Sequence, residues 1–347
     1  MTDAHPISET ETDVIIVGAG PVGLFAIFAC GMLEMRCHVV DALDAVGGQC
    51  SALYPEKPIY DIPGVPEVSG RGLIERLMDQ AAPFAPEFHL GQRVESLARD
   101  DDGVFRMTTD AGLVLSGRAV IIAGGVGAFG PNRPPLEGIE RFEDQGPGQG
   151  VKYAVDEVES FRGRRVVVAG GGDSAVDWAL LLANVAATVA IVHRRDKFRA
   201  APASVTRLRE LAASGAVDLV VPYQLAGLEG ASGELGAVLV RDLEDGERRL
   251  EADALLAFYG LKQSLGPIAE WGLNLARNRI LVTPNTAETS HAGIFAAGDI
   301  ATYENKQKLI LTGFSEASFA AHKAFGYVRP GQALHFEHST HKGLPGK

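Results

Sequence analysis

Cysteine is scarce: the 347 residues hold only Cys30, Cys37 and Cys50, with no CxxC pair among them. This spacing offers neither a disulfide framework nor a cysteine zinc site, and it fits a reducing cytoplasm. Positive charge is also short, with 32 Lys and Arg against 44 Asp and Glu and a formal net charge of −12. A non-specific nucleic-acid binder needs a broad basic surface, so nucleic acid is excluded as a partner. Residues 14–33 are the one long stretch without a charge, 20 residues. Gly18, Gly20, Pro21 and Gly23 break it into strand, turn and helix, so it does not read as a membrane span. The preceding acids (Asp3, Glu9, Glu11, Asp13) stand where a secretory signal carries Lys or Arg, and residues 1–12 read as a loose tail.

The remaining composition, 46% hydrophobic and 22% charged, is that of a globular chain long enough for two domains. Residues 14–41 organise it. An apolar strand-length run leads into Gly18-Ala19-Gly20-Pro21-Val22-Gly23, then a helix-length segment, then a second strand at 37–40 that ends on Asp41. In this dinucleotide fingerprint Gly18 makes the tight turn, Gly20 admits a pyrophosphate to the backbone, and Gly23 lets helix and strand pack closely. Pro21 suits the first helical turn, where an N–H is not needed. Asp41, 23 residues beyond Gly18, is placed to accept from a ribose hydroxyl.

After Asp41, the Gly47-Gly48-Gln49-Cys50 turn opens a stretch interrupted by Pro55, Pro58, Pro63 and Pro66, which is expected to be a long ordered loop without regular structure. A helix is expected over 73–80, and residues 88–120 alternate short strands with turns, as an antiparallel insert would. The apolar run 119–123 and the Gly/Pro-rich 124–135 mark the first domain boundary.

The second half repeats the first. A strand from Arg165 leads into Gly170-Gly171-Gly172-Asp173-Ser174-Ala175, a helix to about Val185, and a strand at 189–192. The residue 23 beyond Gly170 is His193, followed by Arg194 and Arg195, with Arg199 close behind. A carboxylate at that strand end favours a free 2′-hydroxyl and repels a 2′-phosphate; arginines do the reverse. Site one therefore expects FAD or NAD, and site two NADP(H), bound by Gly170, Gly172, Asp173, Ser174, His193, Arg194, Arg195 and Arg199. The fold expected is α/β: two Rossmann-like dinucleotide-binding domains, each a parallel sheet with an antiparallel meander.

From Asp13 to its C-terminus the chain resembles the flavoprotein reductases of the thioredoxin reductase type. GGGDSA followed by HRRDKFRA is similar to that family's NADPH fingerprint, and Ile294-Phe295-Ala296-Ala297-Gly298-Asp299 to its second FAD fingerprint. The thioredoxin reductase CxxC has no counterpart, since residues 150–157 hold no cysteine. In the glutathione reductase branch Cys50 would match the first redox cysteine, but five residues on stands Pro55. Dithiol relay chemistry is excluded, and Cys50 reads as a packing residue.

VGGQCSALYPEK, KLILTGFSEA from Lys308, and His338-Ser339-Thr340 resemble the thioredoxin reductase-like ferredoxin–NADP reductases. This implies hydride transfer between nicotinamide and flavin N5, one-electron steps to ferredoxin, and a homodimer. It implies FAD contacts at Asp41, Gly48, Gln49, Tyr54, Val94, Phe129, Asp299, Ser339 and Thr340, with Tyr54 and His338 stacking on opposite flavin faces. No catalytic acid or base and no metal is nominated. The expected domains are an FAD domain, 1–127 with 262–347, and an NADPH domain, 128–261, joined by a two-strand hinge. Lys306, Lys308, Lys323 and Arg329 are candidates for ferredoxin docking. Alternatives are a reductase serving flavodoxin, an oxygenase component or a quinone, and a nucleotide-binding redox sensor.

Overall fold

The computed structural model describes residues 9–143, 145–334, 340 and 343–345. The chain divides into two compact units: residues up to Phe129 with Gln263 onward, and Gly130–Lys262. In chain order the elements that position the sites are β1 (Val14–Val17), α1 (Pro21–Gly31), β2 (Cys37–Val40), α2 (Gly70–Ala81), β3 (Glu87–His89) and β4 (Ala119–Ile122). Then come β5 (Gly150–Lys152), β6 (Arg165–Ala169), α3 (Asp173–Leu182), β7 (Thr188–Val192), β8 (Asp218–Val220), β9 (Ala254–Ala257), β10 (Ile294–Ala296) and α4 (Ile310–Val328).

The first unit carries a five-stranded sheet in the order β10-β4-β1-β2-β3, and all four pairings are parallel. Its central strands β4 and β1 are apolar at every position, and β2 at all but His38, because both faces are covered. Val14, Ile16, Val39 and Ile121 pack into the helix side with Leu24 and Ile27 of α1. Ile15, Val17, Val40, Val120 and Ile122 pack on the other side with Phe105, Met107 and Leu115 of an antiparallel meander built from Val94–Arg99, Phe105–Thr109 and Val114–Gly117. The uncharged 14–33 run is thus a buried strand plus a buried helix. Ala317, Ala320, Ala321 and Ala324, none exposed, form the small-residue stripe that α4 sets into the same core as α1. Among the described residues no helix is long and apolar enough to cross a membrane.

The second unit repeats this plan with the sheet order β5-β9-β6-β7-β8, again all parallel, and an antiparallel meander of Gln224–Ala231, Glu234–Arg241 and Glu247–Glu251. In both units the fingerprint strand (β1 or β6) is central, and the chain order reverses beside it. That reversal opens a crevice at the carboxyl ends of the strands, where ligands bind in such sheets.

Three expected bounds shift. The 73–80 helix runs Gly70–Ala81, started by the Ser69 hydroxyl accepting from the Gly72 amide at 3.0 Å. The helix expected to run from the GGGDSA turn to about Val185 stops at Leu182. The Pro-rich stretch is not wholly irregular: Gln49–Ala52 form one helical turn, and Pro58–Ile59 pair antiparallel with Val68–Ser69. Proline is tolerated there because Pro58 opens the strand.

Candidate functional site

In the first unit, Gly18, Gly20, Pro21, Asp41, Gly48, Gln49, Tyr54, Val94 and Asp299 line one cavity of about 370 Å³. The glycines are explained by close contacts. Gly18 has φ +110°, and a Cβ there would stand 2.5 Å from the Ala123 carbonyl oxygen. A Cβ on Gly23 would fall 1.8 Å from the Gly18 carbonyl oxygen, so Gly23 makes room for the turn itself as well as for the strand. Gly20 caps α1, with Pro21 as its first residue, and a Cβ on it would meet nothing nearer than the Gly48 Cα at 3.9 Å. Gly48, at φ +54°, faces it from the opposite wall, and the Gly47 amide donates to the Ala19 carbonyl at 2.8 Å to hold the walls together. The result is a cradle that a Cβ on either wall would narrow, at a helix N-terminus whose free amides suit a pyrophosphate.

Asp41 stands at the end of β2. Its two oxygens accept from the Ala19 amide at 2.6 Å and the Leu43 amide at 2.8 Å. Burial pushes its pKa above the ordinary carboxylate value, against the pull of those two amides. A carboxylate offers about four acceptor sites, so two remain for ribose hydroxyls. Tyr54 lies deeper; the Cys50 Sγ is 3.6 Å from its hydroxyl. Burial pushes the Cys50 thiol up to about 11 and the Tyr54 hydroxyl far above its usual value, so neither ionises near neutrality. All three cysteines are free and buried. These residues fit a dinucleotide carrying a second, ring-bearing half.

Behind Asp299 lies a group the sequence reading did not single out. Glu316 of α4 is 1% exposed and accepts from the Gly298 amide and the Tyr303 hydroxyl, each at 2.8 Å, while pairing with the Lys306 ammonium. Burial, with Glu316 accepting its proton, pushes the Tyr303 hydroxyl up to about 12. The Lys306 side chain is itself only 5% exposed. Glu316 follows Gly313 by three residues and precedes Ala320 by four, so helical periodicity placed it on the buried stripe of α4.

Two expected docking cations are therefore committed elsewhere: Lys306 to Glu316, and Arg329 to Asp13 at 3.0 Å. Lys308, at the cavity rim, and Lys323 are exposed. Thr340 is exposed and outside the cavity lining. His338 and Ser339, and the side chain of Phe129, lie outside the described residues.

The second unit modifies the same design. Gly170, at φ +155°, would carry a Cβ 2.7 Å from the Phe258 carbonyl oxygen. Gly172 caps α3 with open space beside it, and Asp173 and Ser174 are exposed on the first turn. Gly171 has a different reason to be glycine: a Cβ there would lie 2.2 Å from the His193 ring, which covers it. Burial, then Arg194, lowers the His193 pKa, keeping the ring neutral. The loop beyond β7 is latched to the fingerprint twice. The Arg199 amide donates to the Gly171 carbonyl at 2.7 Å, and the Ala201 amide to Asp173 at 2.9 Å. Asp196 on this loop is taken by Arg209 at 3.1 Å. Arg194, Arg195 and Arg199 are exposed, and no ion pair to them occurs among the described residues.

The family model for "Pyridine nucleotide-disulphide oxidoreductase" matches residues 12–323. A protein of Paramagnetospirillum magneticum named ferredoxin–NADP reductase is 61% identical, over 98% of this chain and 99% of its own. One of the same name from Rhodospirillum rubrum is 60% identical, over 100% and 99%. Among solved structures, the thioredoxin reductases of T. acidophilum (TM-score 0.76, 23% identity, 91% of this chain and 98% of that one) and Lactococcus lactis (0.73, 24%, 91% and 99%) share the fold. The chain belongs to the pyridine nucleotide-disulphide oxidoreductase family, grouping there with relatives named ferredoxin–NADP reductase.

Proposed function

We propose that the chain is an FAD-dependent reductase that moves electrons between NADP(H) and ferredoxin. The observation that carries this reading is full-length likeness to relatives of that name in a chain whose three cysteines are all free and buried. In it the first unit holds FAD and the second NADP(H), with working boundaries at residues 1–127, 128–261 and 262–347. When bound, the flavin supplies the conversion of a two-electron hydride into single electrons.

The chain's own part is to bind, orient and exclude. Gly20 and Gly48 admit the pyrophosphate, Asp41 takes the ribose, and Asp299, at the turn held by Glu316, lines the same cavity. Tyr54 lends a flat, un-ionised ring beside the flavin. In the second unit Arg194, Arg195 and Arg199 offer the 2′-phosphate three guanidinium groups where Asp41 would repel it. A homodimer and a cytoplasmic location belong to the same reading; exposed Leu311 (42%) and Phe319 (43%) on α4 support the dimer. Lys308 and Lys323 are the exposed cations left for an acidic ferredoxin.

The test is cytochrome c reduction by the purified protein with NADPH, with and without added ferredoxin. A large, saturable stimulation is expected. NADPH oxidation that ferredoxin leaves unstimulated would retain the flavoprotein and reject ferredoxin as its partner.

A further inference from the structure

We propose that His38, Glu87 and His89 form a zinc site at the edge of the first unit's sheet, outside the dinucleotide cavity. It arises from the register of two parallel strands. His38 of β2 stands opposite Glu87 of β3, and Val40 opposite His89. Side chains alternate along a strand, so His38, Glu87 and His89 share one face while Val39 and Phe88 turn to the helix-side core. Two imidazoles and a carboxylate are thereby gathered by backbone pairing alone.

The distances suit one small cation. One ligand atom from each of the three side chains lies within 4.8 Å of the others. The His38 Nδ1 is 3.0 Å from the His89 Nε2, while a Glu87 oxygen lies 3.8 Å from the other ring nitrogen, Nε2, so the exposed Glu87 side chain must swing to the Nδ1 edge to join the ion. With Zn–N bonds of about 2.0–2.1 Å, two nitrogens on a tetrahedral ion stand about 3.3 Å apart, so the imidazoles need to part by only a few tenths of an ångström. A single proton now joins the two rings, and the metal would take its place between the lone pairs. His38 is buried and Glu87 is exposed, so the fourth position opens to water. Two nitrogens and one carboxylate favour zinc over magnesium or calcium, which take oxygen ligands.

The site adjoins the ribose corner. The His89 carbonyl accepts from the Asp41 amide at 3.1 Å, so an ion bridging β2 and β3 would clamp the strand end that presents Asp41.

The experiment uses the full-length, flavin-loaded protein after dialysis against a chelator. Zinc is titrated by calorimetry, and cobalt(II) is followed by its ligand-field absorption. One zinc per chain is expected, with a cobalt spectrum of low coordination number. Glu87→Gln and His89→Gln should each weaken zinc binding by about tenfold or more. Glu87 is exposed and lines no part of the cavity, so Glu87→Gln should keep its flavin and its cytochrome c turnover. No zinc uptake by the wild-type chain, or an isotherm that both substitutions leave unchanged, would overturn the proposal.

Discussion

Glu316→Ala tests the charged group buried behind the Asp299 turn. Glu316 takes three donors, from Gly298, Tyr303 and Lys306, and neither it nor the Lys306 side chain is more than 5% exposed. Truncation leaves an ammonium without its counter-charge and a backbone amide without its acceptor. Removing one partner of a buried pair costs about 3–5 kcal/mol, because the other charge stays buried. The surrounding unit holds roughly 200 residues, for which 1 kcal/mol moves Tm by about 2–4 °C, so its melting should fall by about 6–20 °C. Calorimetry of the flavin-loaded protein measures this, with flavin release on gel filtration as a second reading, since the freed Gly298 amide belongs to the turn that presents Asp299. Glu316→Leu combined with Lys306→Met should recover the share due to the unpaired ammonium, because an apolar pair can replace a buried ion pair at little cost, while the Gly298 amide and Tyr303 hydroxyl stay unsatisfied. A Glu316→Ala shift below about 2 °C would refute the reasoning.

In the second unit, Arg194→Ala with Arg195→Ala removes two charge-assisted contacts of about 1.5–3 kcal/mol each, so the kcat/KM preference for NADPH over NADH should fall about a hundredfold or more; an unchanged ratio removes the clamp. Gly48→Val would put side-chain atoms into the cradle from a residue at φ +54°, where a Cβ would lie 3.1 Å from the Gly20 Cα. The purified variant should be nearly colourless, and a wild-type flavin-to-protein absorbance ratio would count against the cradle. The Cys50 thiol titrates at about 11 in the fold against 9.0 when unperturbed, so its contribution is full below pH 9 and is lost as pH rises to about 11, by about 2.7 kcal/mol at most. Stability curves of the wild type and Cys50→Ala should converge over that interval; parallel curves would show that Cys50 does not titrate there.

The fingerprints were legible because both faces of their strands are buried. Val14–Val17 and Arg165–Ala169 read as nearly unbroken apolar runs, and glycines at fixed offsets leave few alternatives to a tight strand–helix turn. Asp41 and His193 were legible for the same reason: each follows its glycines at a spacing set by one helix and one strand. What escaped notice depends on register and depth. His38 and His89 are 51 residues apart and meet because β2 pairs with β3, a neighbourhood that neither strand's composition specifies. Lys306 looked like a surface charge because lysine usually is one; only the packing of α4 turns Glu316 inward to receive it. Nor does the GGG run reveal that its middle glycine, Gly171, makes room for the His193 ring, where a Cβ would stand 2.2 Å from it.

That exchange at Gly171 bears on how one loop design separates two nucleotides. In the first unit the strand-end side chain turns back on the fingerprint as an acceptor, bound to the Ala19 amide, so negative charge stands where the proposed ribose would sit and would repel a 2′-phosphate. In the second, a neutral ring covers the corresponding glycine, and the positive charge moves outward to Arg194 and Arg195, on a loop pinned by the Arg199 amide and by Asp173. Asp196, the one acid among them, is withdrawn by Arg209. On the proposed reading, selectivity comes from sign and placement together. Substituting His193 with Asp alone would not convert the second site to the first, because the pinned arginines would remain and would neutralise the new carboxylate. Conversion requires losing the arginines as well, and the NADPH-to-NADH ratio should respond mainly to that loss.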